Sequence, residues 1–173
     1  MENVLQDTPA VLATTPARWL SLTESLPEEL LTRPPAPGQW SARECLSHLL
    51  DTECDIFPAR VRAFLAGQDF AAFNPDEEGT RDASRPTREL AEEFATRRRE
   101  SLALLRDLAP GDLTRTARHS ELGQVTLGEL LHEWGAHDLN HTVQGERALM
   151  QPFIAGSGPW RTAGYFADHD VEA

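Results

Sequence analysis

Two capping boxes constrain the fold of this chain most strongly, because each predicts the start of a long helix. Ser41 is followed three residues later by Glu44, and Thr126 is followed three residues later by Glu129. In a capping box the hydroxyl and the carboxylate satisfy backbone N–H groups that are otherwise free at a helix N-terminus. Apolar residues follow each box at helical spacing, so the sequence predicts two long amphipathic helices, the second running to about residue 149.

Apolar periodicity predicts two more helices, at about 8–25 and about 87–108. Pro9 fits the start of the first of these helices, and Pro16 is expected to kink it. Four amphipathic helices joined by long connections predict an all-α fold, a four-helix bundle. Such bundles commonly build metal sites from inward side chains on facing helices.

Helix breakers divide the rest of the chain. Pro58 should bend or split the helix that begins at Ser41, and Gly67 should end it. The segment 68–86 is too long for a simple connection, and segments of this length are often functional. The segment 109–125 is expected to be irregular or a short hairpin.

We expect two regions, a bundle over residues 1–150 and a C-terminal tail over 151–173. The tail is rich in glycine and proline and carries several aromatic residues, among them Phe153, Trp160 and Tyr165. We predict that these aromatic side chains pack back onto the bundle or onto a partner chain.

The charge of the chain argues against one class of partner. The formal net charge is −12 at pH 7, and an acidic surface repels phosphate backbones, so we expect no nucleic-acid partner. The basic run Arg97–Arg99 lies among glutamates in the third long helix. That setting favours a solvated helix face over a nucleic-acid patch.

The sequence also indicates a compartment. The N-terminal residues lack a basic segment followed by an apolar core, and no apolar run approaches the length of a membrane span. Cys45 and Cys54 lie nine apart in one predicted helix, so they point to opposite sides and cannot bridge within it. Reduced thiols suit the cytoplasm. We therefore expect a cytoplasmic protein with no membrane partner.

Three histidines lie within ten residues, and two of them have metal-ligand spacing. On a helical wheel His137 and His141 fall about 40° apart, whereas His132 lies about 140° away from His137. An i, i+4 pair can bind one metal ion, although such pairs also occur as plain surface polarity. The HExxH spacing of zincins is not met. A third ligand must come from another helix, and His48 is the best candidate because it lies on a polar stripe of the second helix.

Other polar residues share these stripes. Asp51, Asp55 or Glu44 could orient a ligand histidine or accept a proton, or they could be solvated helix surface. Gln144 could hold substrate or water, or it could pack beside a ligand. Cys45 could be a soft metal ligand, but a small core residue is the more ordinary interpretation.

Two stretches resemble a known family. GQWSARECLSHLLDTECDIFPARVRAFL resembles the second helix of DinB-like (YfiT-like) proteins, and LGELLHEWGAHDLNHTVQGERALM resembles their last bundle helix. The resemblance implies an up-down bundle with a long crossover, often dimeric. It also implies one divalent metal ion, which varies among zinc, nickel and iron, held by three histidines. Carried over by position, these are His48, His137 and His141.

The resemblance also suggests an activity. Some similar proteins are maleylpyruvate isomerases or S-transferases that use mycothiol, bacillithiol or glutathione. We therefore expect a metal-dependent enzyme, a thiol S-transferase acting on small electrophiles, with Asp51, Asp55 and Gln144 as catalytic candidates. A hydrolase or isomerase, and a non-catalytic metal-binding or stress-response scaffold, remain alternatives. A di-iron carboxylate site needs Glu-x-x-His pairs that the spacing here does not supply.

Overall fold

The computed structural model describes residues 3–73 and 85–171, so most of the predicted 68–86 loop lies outside the described residues. The elements are α1 (Val4–Ser25), α2 (Glu28–Leu31), α3 (Ala42–Asp55), α4 (Phe57–Ala66), α5 (Thr87–Arg106), a 3₁₀ helix (Pro110–Thr114), β1 (Thr116–His119), β2 (Gly123–Thr126), α6 (Leu127–Gly156) and α7 (Pro159–Thr162). The fold is all-α, as predicted, with one two-stranded hairpin added. Within the described ranges no helix has both the length and the apolarity needed to cross a bilayer.

The long helices α1, α3, α5 and α6 form a four-helix bundle. Both α1 and α3 pack against α5 and also against α6. The order around the bundle is therefore α1, α5, α3, α6, and the connection from α1 to α3 crosses to the opposite corner. This agrees with the predicted long crossover, and it makes α3 and α6 neighbours whose side chains can meet.

Both predicted capping boxes are present. The N–H of Ser41 donates to Oε2 of Glu44 at 2.7 Å, and the Ser41 hydroxyl accepts from the N–H of Glu44. The same pair of bonds joins Thr126 and Glu129. Because these bonds define where α3 and α6 begin, they set which side chains the two helices turn toward each other.

The outer ends of α1 and α6 differ from the predictions. α1 begins at Val4, so Pro9 lies inside the helix and does not start it. Val4 is buried in the core, so the first turn of α1 packs against the bundle before Pro9 is reached. α6 continues past the predicted end to Gly156 with Pro152 inside it, and buried Ile154 anchors the added turns in the same way.

Pro58 splits the second helix as predicted. α3 ends at Asp55, and Ile56 has φ −111° and ψ −72°. Pro58 lies in the first turn of α4, where a missing N–H costs no helical hydrogen bond. Gly67, with φ +66°, ends α4 in the left-handed conformation that glycine adopts without strain.

The core consists of two apolar clusters with a polar layer between them. Trp134 and Phe57 stack in one cluster, with ring centroids 4.9 Å apart, and Trp19 belongs to the other. Between the clusters each long helix contributes a buried polar or charged side chain: Thr15 on α1, Glu53 on α3, Arg98 on α5 and Asp138 on α6. The candidate histidines lie within five positions of Glu53 or Asp138 in the sequence, so they belong to the same level of the bundle.

The C-terminal segment folds back onto α6. The carbonyl of His169 accepts hydrogen bonds from Nε of Arg147 at 3.0 Å and from Nε2 of Gln151 at 2.9 Å. Trp160 and Tyr165 are 61% and 75% exposed. Hydrogen bonds to the backbone of the tail therefore join it to α6, and these two aromatic side chains are mostly exposed.

Candidate metal centre

Three histidines from two neighbouring helices meet in the polar layer. His48 lies in the middle of α3, and His137 and His141 lie one turn apart on α6. The Nε2 atoms of His48 and His137 are 3.0 Å apart. One ring nitrogen of each histidine lies within 4.8 Å of those of the other two. The structure thus brings together the three histidines that the sequence singled out as candidate ligands.

The spacing and the donor set of these nitrogens fit one metal ion. A tetrahedral site with bonds of about 2.0–2.1 Å separates its nitrogen ligands by about 3.4 Å. That separation lies between the 3.0 Å contact and the 4.8 Å limit. Nδ1 of His137 is buried without a hydrogen-bond partner among the described residues, a situation that asks for a functional explanation. Three imidazoles suit zinc, nickel and iron alike, so the residues fit a divalent transition metal.

Burial holds the three imidazoles in the neutral form. Burial and the neighbouring His141 lower the pKa of His48 to about 4. Burial and the neighbouring histidines and arginines lower the pKa of His137 to about 3. Burial also lowers the pKa of His141, against the opposing effect of its hydrogen bond with Gln144. Because a metal binds the unprotonated imidazole, the site is ready for a metal at neutral pH.

Gln144 orients one of the candidate ligands. Oε1 of Gln144 lies 2.9 Å from Nδ1 of His141. An amide oxygen can only accept, so Nδ1 carries the hydrogen and Nε2 presents its lone pair. The ring of Trp40 stacks on His141 from another side, with centroids 5.7 Å apart. A neighbour that fixes the tautomer and the direction of a histidine is typical of metal sites.

A buried ion-pair network lies beside the histidines and corrects the prediction for Arg97–Arg99. Arg98 is not on a solvated face, since only 1% of it is exposed. Its Nη2 lies 2.6 Å from Oδ1 of Asp138 and 2.9 Å from Oε2 of Glu53. Three consecutive helical residues span about 200°, so one of the three arginines can face inward. The positive charge of Arg98 contributes to the lowered pKa of His137.

The histidines open into a cavity of about 500 Å³. Its apolar wall includes Trp40, Ile56, Phe57, Phe70, Phe73 and Leu130. Arg60, His119 and Glu133 add polar groups to the same wall. An apolar cavity with a few converging polar groups is the usual form of a small-molecule site.

Arg60 and His119 are two polar lining residues that were not among the predicted site residues. Arg60 lies beyond the break at Ile56, which changes the face that the helix turns inward, so a wheel centred on His48 does not reach it. His119 lies in the segment 109–125, which was expected to be irregular or a short hairpin. A hairpin forms there, and His119 ends its strand β1 and lines the cavity. The break predicted at Pro58 was the only sequence signal that α4 turns a different face inward from α3.

The remaining candidates lie elsewhere. Glu44 completes the capping box. Cys45 is buried in the core, where burial raises its pKa to about 12, and it is not in the cluster of possible metal ligands among the described residues. Asp51 is buried and Asp55 is exposed, and neither belongs to the described lining of the cavity. A catalytic role for Asp51 or Asp55 stays a prediction.

The di-iron alternative finds no support in the described part of the chain. There, the three histidines are the one group of three or more His, Cys, Asp or Glu side chains that converge as ligands do. A di-iron carboxylate bundle requires several glutamates at the same centre. The geometry is that of a single-metal site.

Comparisons with known proteins agree with this architecture. A model of the DinB superfamily matches residues 12–144. YfiT from Bacillus subtilis, described as a probable metal-dependent hydrolase with an unusual four-helix bundle topology, is similar with a TM-score of 0.73 and 20% identity, over 88% of this chain and 89% of that chain. No curated protein matches the sequence. The likeness to YfiT establishes a shared fold, while the family match spans both helices that carry the histidines; the chain belongs to the DinB superfamily.

Proposed function

We propose that this protein is a divalent-metal-dependent enzyme in which His48, His137 and His141 hold the ion. The observation that carries the proposal is the convergence of three neutral imidazoles on an open cavity. Three protein ligands leave at least one position free, which distinguishes catalytic from structural metal sites. Zinc, nickel and iron are the candidate ions.

For the reaction, we propose transfer of a low-molecular-weight thiol onto a small electrophile. A divalent ion on three neutral imidazoles lowers the pKa of a bound thiol or water and supplies a nucleophile at neutral pH. Gln144 keeps His141 in the coordinating tautomer. Phe57 and Trp40 form an apolar wall beside the histidines, where they contact His137 and His141. The thiol would release its proton to solvent, and the electron pair of its sulfur would form the bond to the electrophilic carbon. The bond from that carbon to the leaving group would break at the same time, and the leaving group would depart into solvent with the electrons of that bond.

A hydrolase is the second candidate, because the same three ligands suit a water-derived nucleophile and because YfiT is described as a probable metal-dependent hydrolase. Asp51, Asp55 and Gln144 stay candidates for proton transfer or orientation in either reaction. A non-catalytic metal-binding or stress-response scaffold is the remaining alternative.

A homodimer is proposed on the family resemblance, and light scattering of the purified protein tests it.

The first experiment measures metal per chain by mass spectrometry on protein purified without a histidine tag. We expect about one equivalent in the wild type and a large loss in His137→Ala. His132→Ala is the matched control, because His132 is exposed on the same helix and does not line the cavity. Absence of metal from the wild type, even after incubation with zinc, nickel and ferrous ions, would overturn the proposal.

The second experiment separates the two reactions. Metal-loaded protein is incubated with an electrophile such as monochlorobimane, with and without a thiol such as glutathione or cysteine, and the products are identified by mass spectrometry. A thioether that forms faster with wild type than with His137→Ala supports the transferase. Hydrolysis of test esters and amides without thioether formation favours the hydrolase. Metal binding without either product favours the scaffold.

A further inference from the structure

Arg60 is a cation in the wall of an otherwise mainly apolar cavity. Its Nη2 donates one long hydrogen bond, 3.3 Å to the carbonyl of Ala71, and its guanidinium carbon lies 5.2 Å from the centre of the Phe70 ring. Among the described residues no carboxylate oxygen lies within 4.0 Å of Arg60. Most of its five N–H donors are therefore available to a ligand.

Three carboxylates share the cavity, those of Glu121, Glu129 and Glu133, and within the described residues none of them forms an ion pair with this guanidinium. Glu129 is held by the helix cap, since its Oε2 accepts from the N–H and the hydroxyl of Thr126 at 2.7 and 2.8 Å. Glu133 faces the same space, and in the part of the chain that the structure describes it forms no ion pair with Arg60. Desolvation by the apolar wall raises the pKa of Glu133, and desolvation lowers the pKa of Arg60 while Glu133 opposes that effect. Glu133 thus influences Arg60 through space without occupying its donors.

The wall between Arg60 and the histidines is aromatic. Phe70 lies under the guanidinium, and Phe57 meets His137 edge-on with ring centroids 5.1 Å apart. Phe73 stacks beside His48 with centroids 6.3 Å apart. A ligand that spans this wall needs an apolar and preferably flat body.

We propose that the cavity binds an amphipathic organic carboxylate. Its carboxylate pairs with Arg60 through two parallel N–H···O bonds, the pairing for which a guanidinium is suited. Its apolar body lies along Phe57, Phe70 and Phe73, and its reactive end faces the three histidines. The position of the reactive end rests on the proposed function, whereas the carboxylate site rests on the cavity and Arg60.

Calorimetric titration of the full-length protein, as purified and after zinc loading, tests this proposal with three matched probes. Phenylacetate carries the carboxylate, phenylacetamide is its neutral analogue, and phenethylamine is a cationic one. We expect phenylacetate to bind at least about tenfold more tightly than the other two, as charge-assisted pairing with a partly desolvated guanidinium implies. Equal binding of the amide, tighter binding of the cation, or no detectable binding of phenylacetate would overturn the proposal.

Two variants of α4 locate the binding site. Arg60→Gln should weaken phenylacetate binding about tenfold or more and leave phenylacetamide binding unchanged, while Arg60→Lys should restore part of the difference. Arg62→Gln is the matched control, because it removes the same charge from the same helix at an exposed position outside the cavity. Equal affinity of Arg60→Gln and wild type would show that the carboxylate binds elsewhere, for example on the metal, and would sink the proposal.

The probe series distinguishes this proposal from the metal-dependent function. Since phenylacetate and phenylacetamide are compared on the wild type, the result does not depend on how well a variant folds. A protein that prefers the carboxylate but holds no metal would retain the Arg60 site and lose the proposed enzyme. A protein that holds one metal and shows no carboxylate preference would retain the enzyme and lose the Arg60 site.

Discussion

Arg98 and Asp138 form a two-pronged ion pair that is closed off from solvent. Nη2 of Arg98 is 2.6 Å from Oδ1 and Nη1 is 3.2 Å from Oδ2, and each side chain is 1% exposed. Nη1 also donates to the carbonyl of Leu12 at 2.8 Å, and Oε2 of Glu53 lies 2.9 Å from Nη2. One side chain of α5 therefore ties together α1, α3 and α6 next to His137.

Replacing Arg98 by leucine should destabilise the fold by about 3–5 kcal/mol, because it leaves the carboxylates of Asp138 and Glu53 buried without a cation. Urea unfolding followed by circular dichroism measures the change. Arg99→Leu is the control, since Arg99 is exposed on the same helix and should change stability by no more than about 0.5 kcal/mol. Similar losses in the two variants would mean that the buried network does not contribute more than a surface arginine.

Gly145 lets α6 approach α1 closely. A Cβ atom there would lie 2.5 Å from Cη2 of Trp19, which belongs to the core. We expect Gly145→Ala to cost about 1–3 kcal/mol through overpacking, measured as a shift of the urea midpoint. Gly135→Ala on the same helix is the control: its nearest new contact is 3.8 Å from Thr8, so the higher helix propensity of alanine should leave it neutral or more stable. If both variants are equally stable, the bundle is not tightly fitted at Trp19.

Features of the fold that depend on neighbouring residues in the chain could be predicted from the sequence. Contacts between residues of different helices could not. The capping boxes at Ser41 and Thr126 and the break at Pro58 involve neighbours in the chain, so their residue types reveal them. Arg98 is different: its burial depends on Glu53 and Asp138, which come from two other helices. A single-helix wheel has no information about such partners.

The candidate site divides in the same way. The i, i+4 spacing of His137 and His141 is visible on one helix, and His48 could be chosen as the third member from the polarity of its stripe. Arg60 and His119 reach the cavity only through a helix break and a hairpin, whose directions are set by packing. The lining of the cavity could therefore not be predicted from the sequence.

The metal-free protein should lose stability as the pH falls below about 6.5. In the unfolded chain a histidine binds a proton near pH 6.5, whereas in the fold the pKa values of His48 and His137 are about 4 and about 3. The unfolded state binds more protons in this window, so stability is complete above pH 6.5 and falls toward those folded pKa values. Urea midpoints of chelator-treated protein at pH 7.5, 6.5, 5.5 and 5 measure the slope.

His48→Asn should flatten that slope, because one of the groups whose pKa is lowered by burial is gone. His132→Asn should leave it as in the wild type, since His132 is exposed on α6. The same slope in wild type and His48→Asn would contradict the burial of a neutral imidazole at this position.

Gln144 should tune metal affinity through His141. Gln144→Leu removes the acceptor that fixes the ring, so we expect the metal dissociation constant to rise about 10- to 100-fold with the three ligands still in place. Competition with a chromogenic chelator, using zinc and the tag-free protein, measures it. Asn140→Ala, an exposed change one residue before His141, is expected to bind zinc as the wild type does. If Gln144→Leu binds zinc as tightly as Asn140→Ala, the 2.9 Å contact does not orient a ligand, and Gln144 is left free to serve the substrate instead.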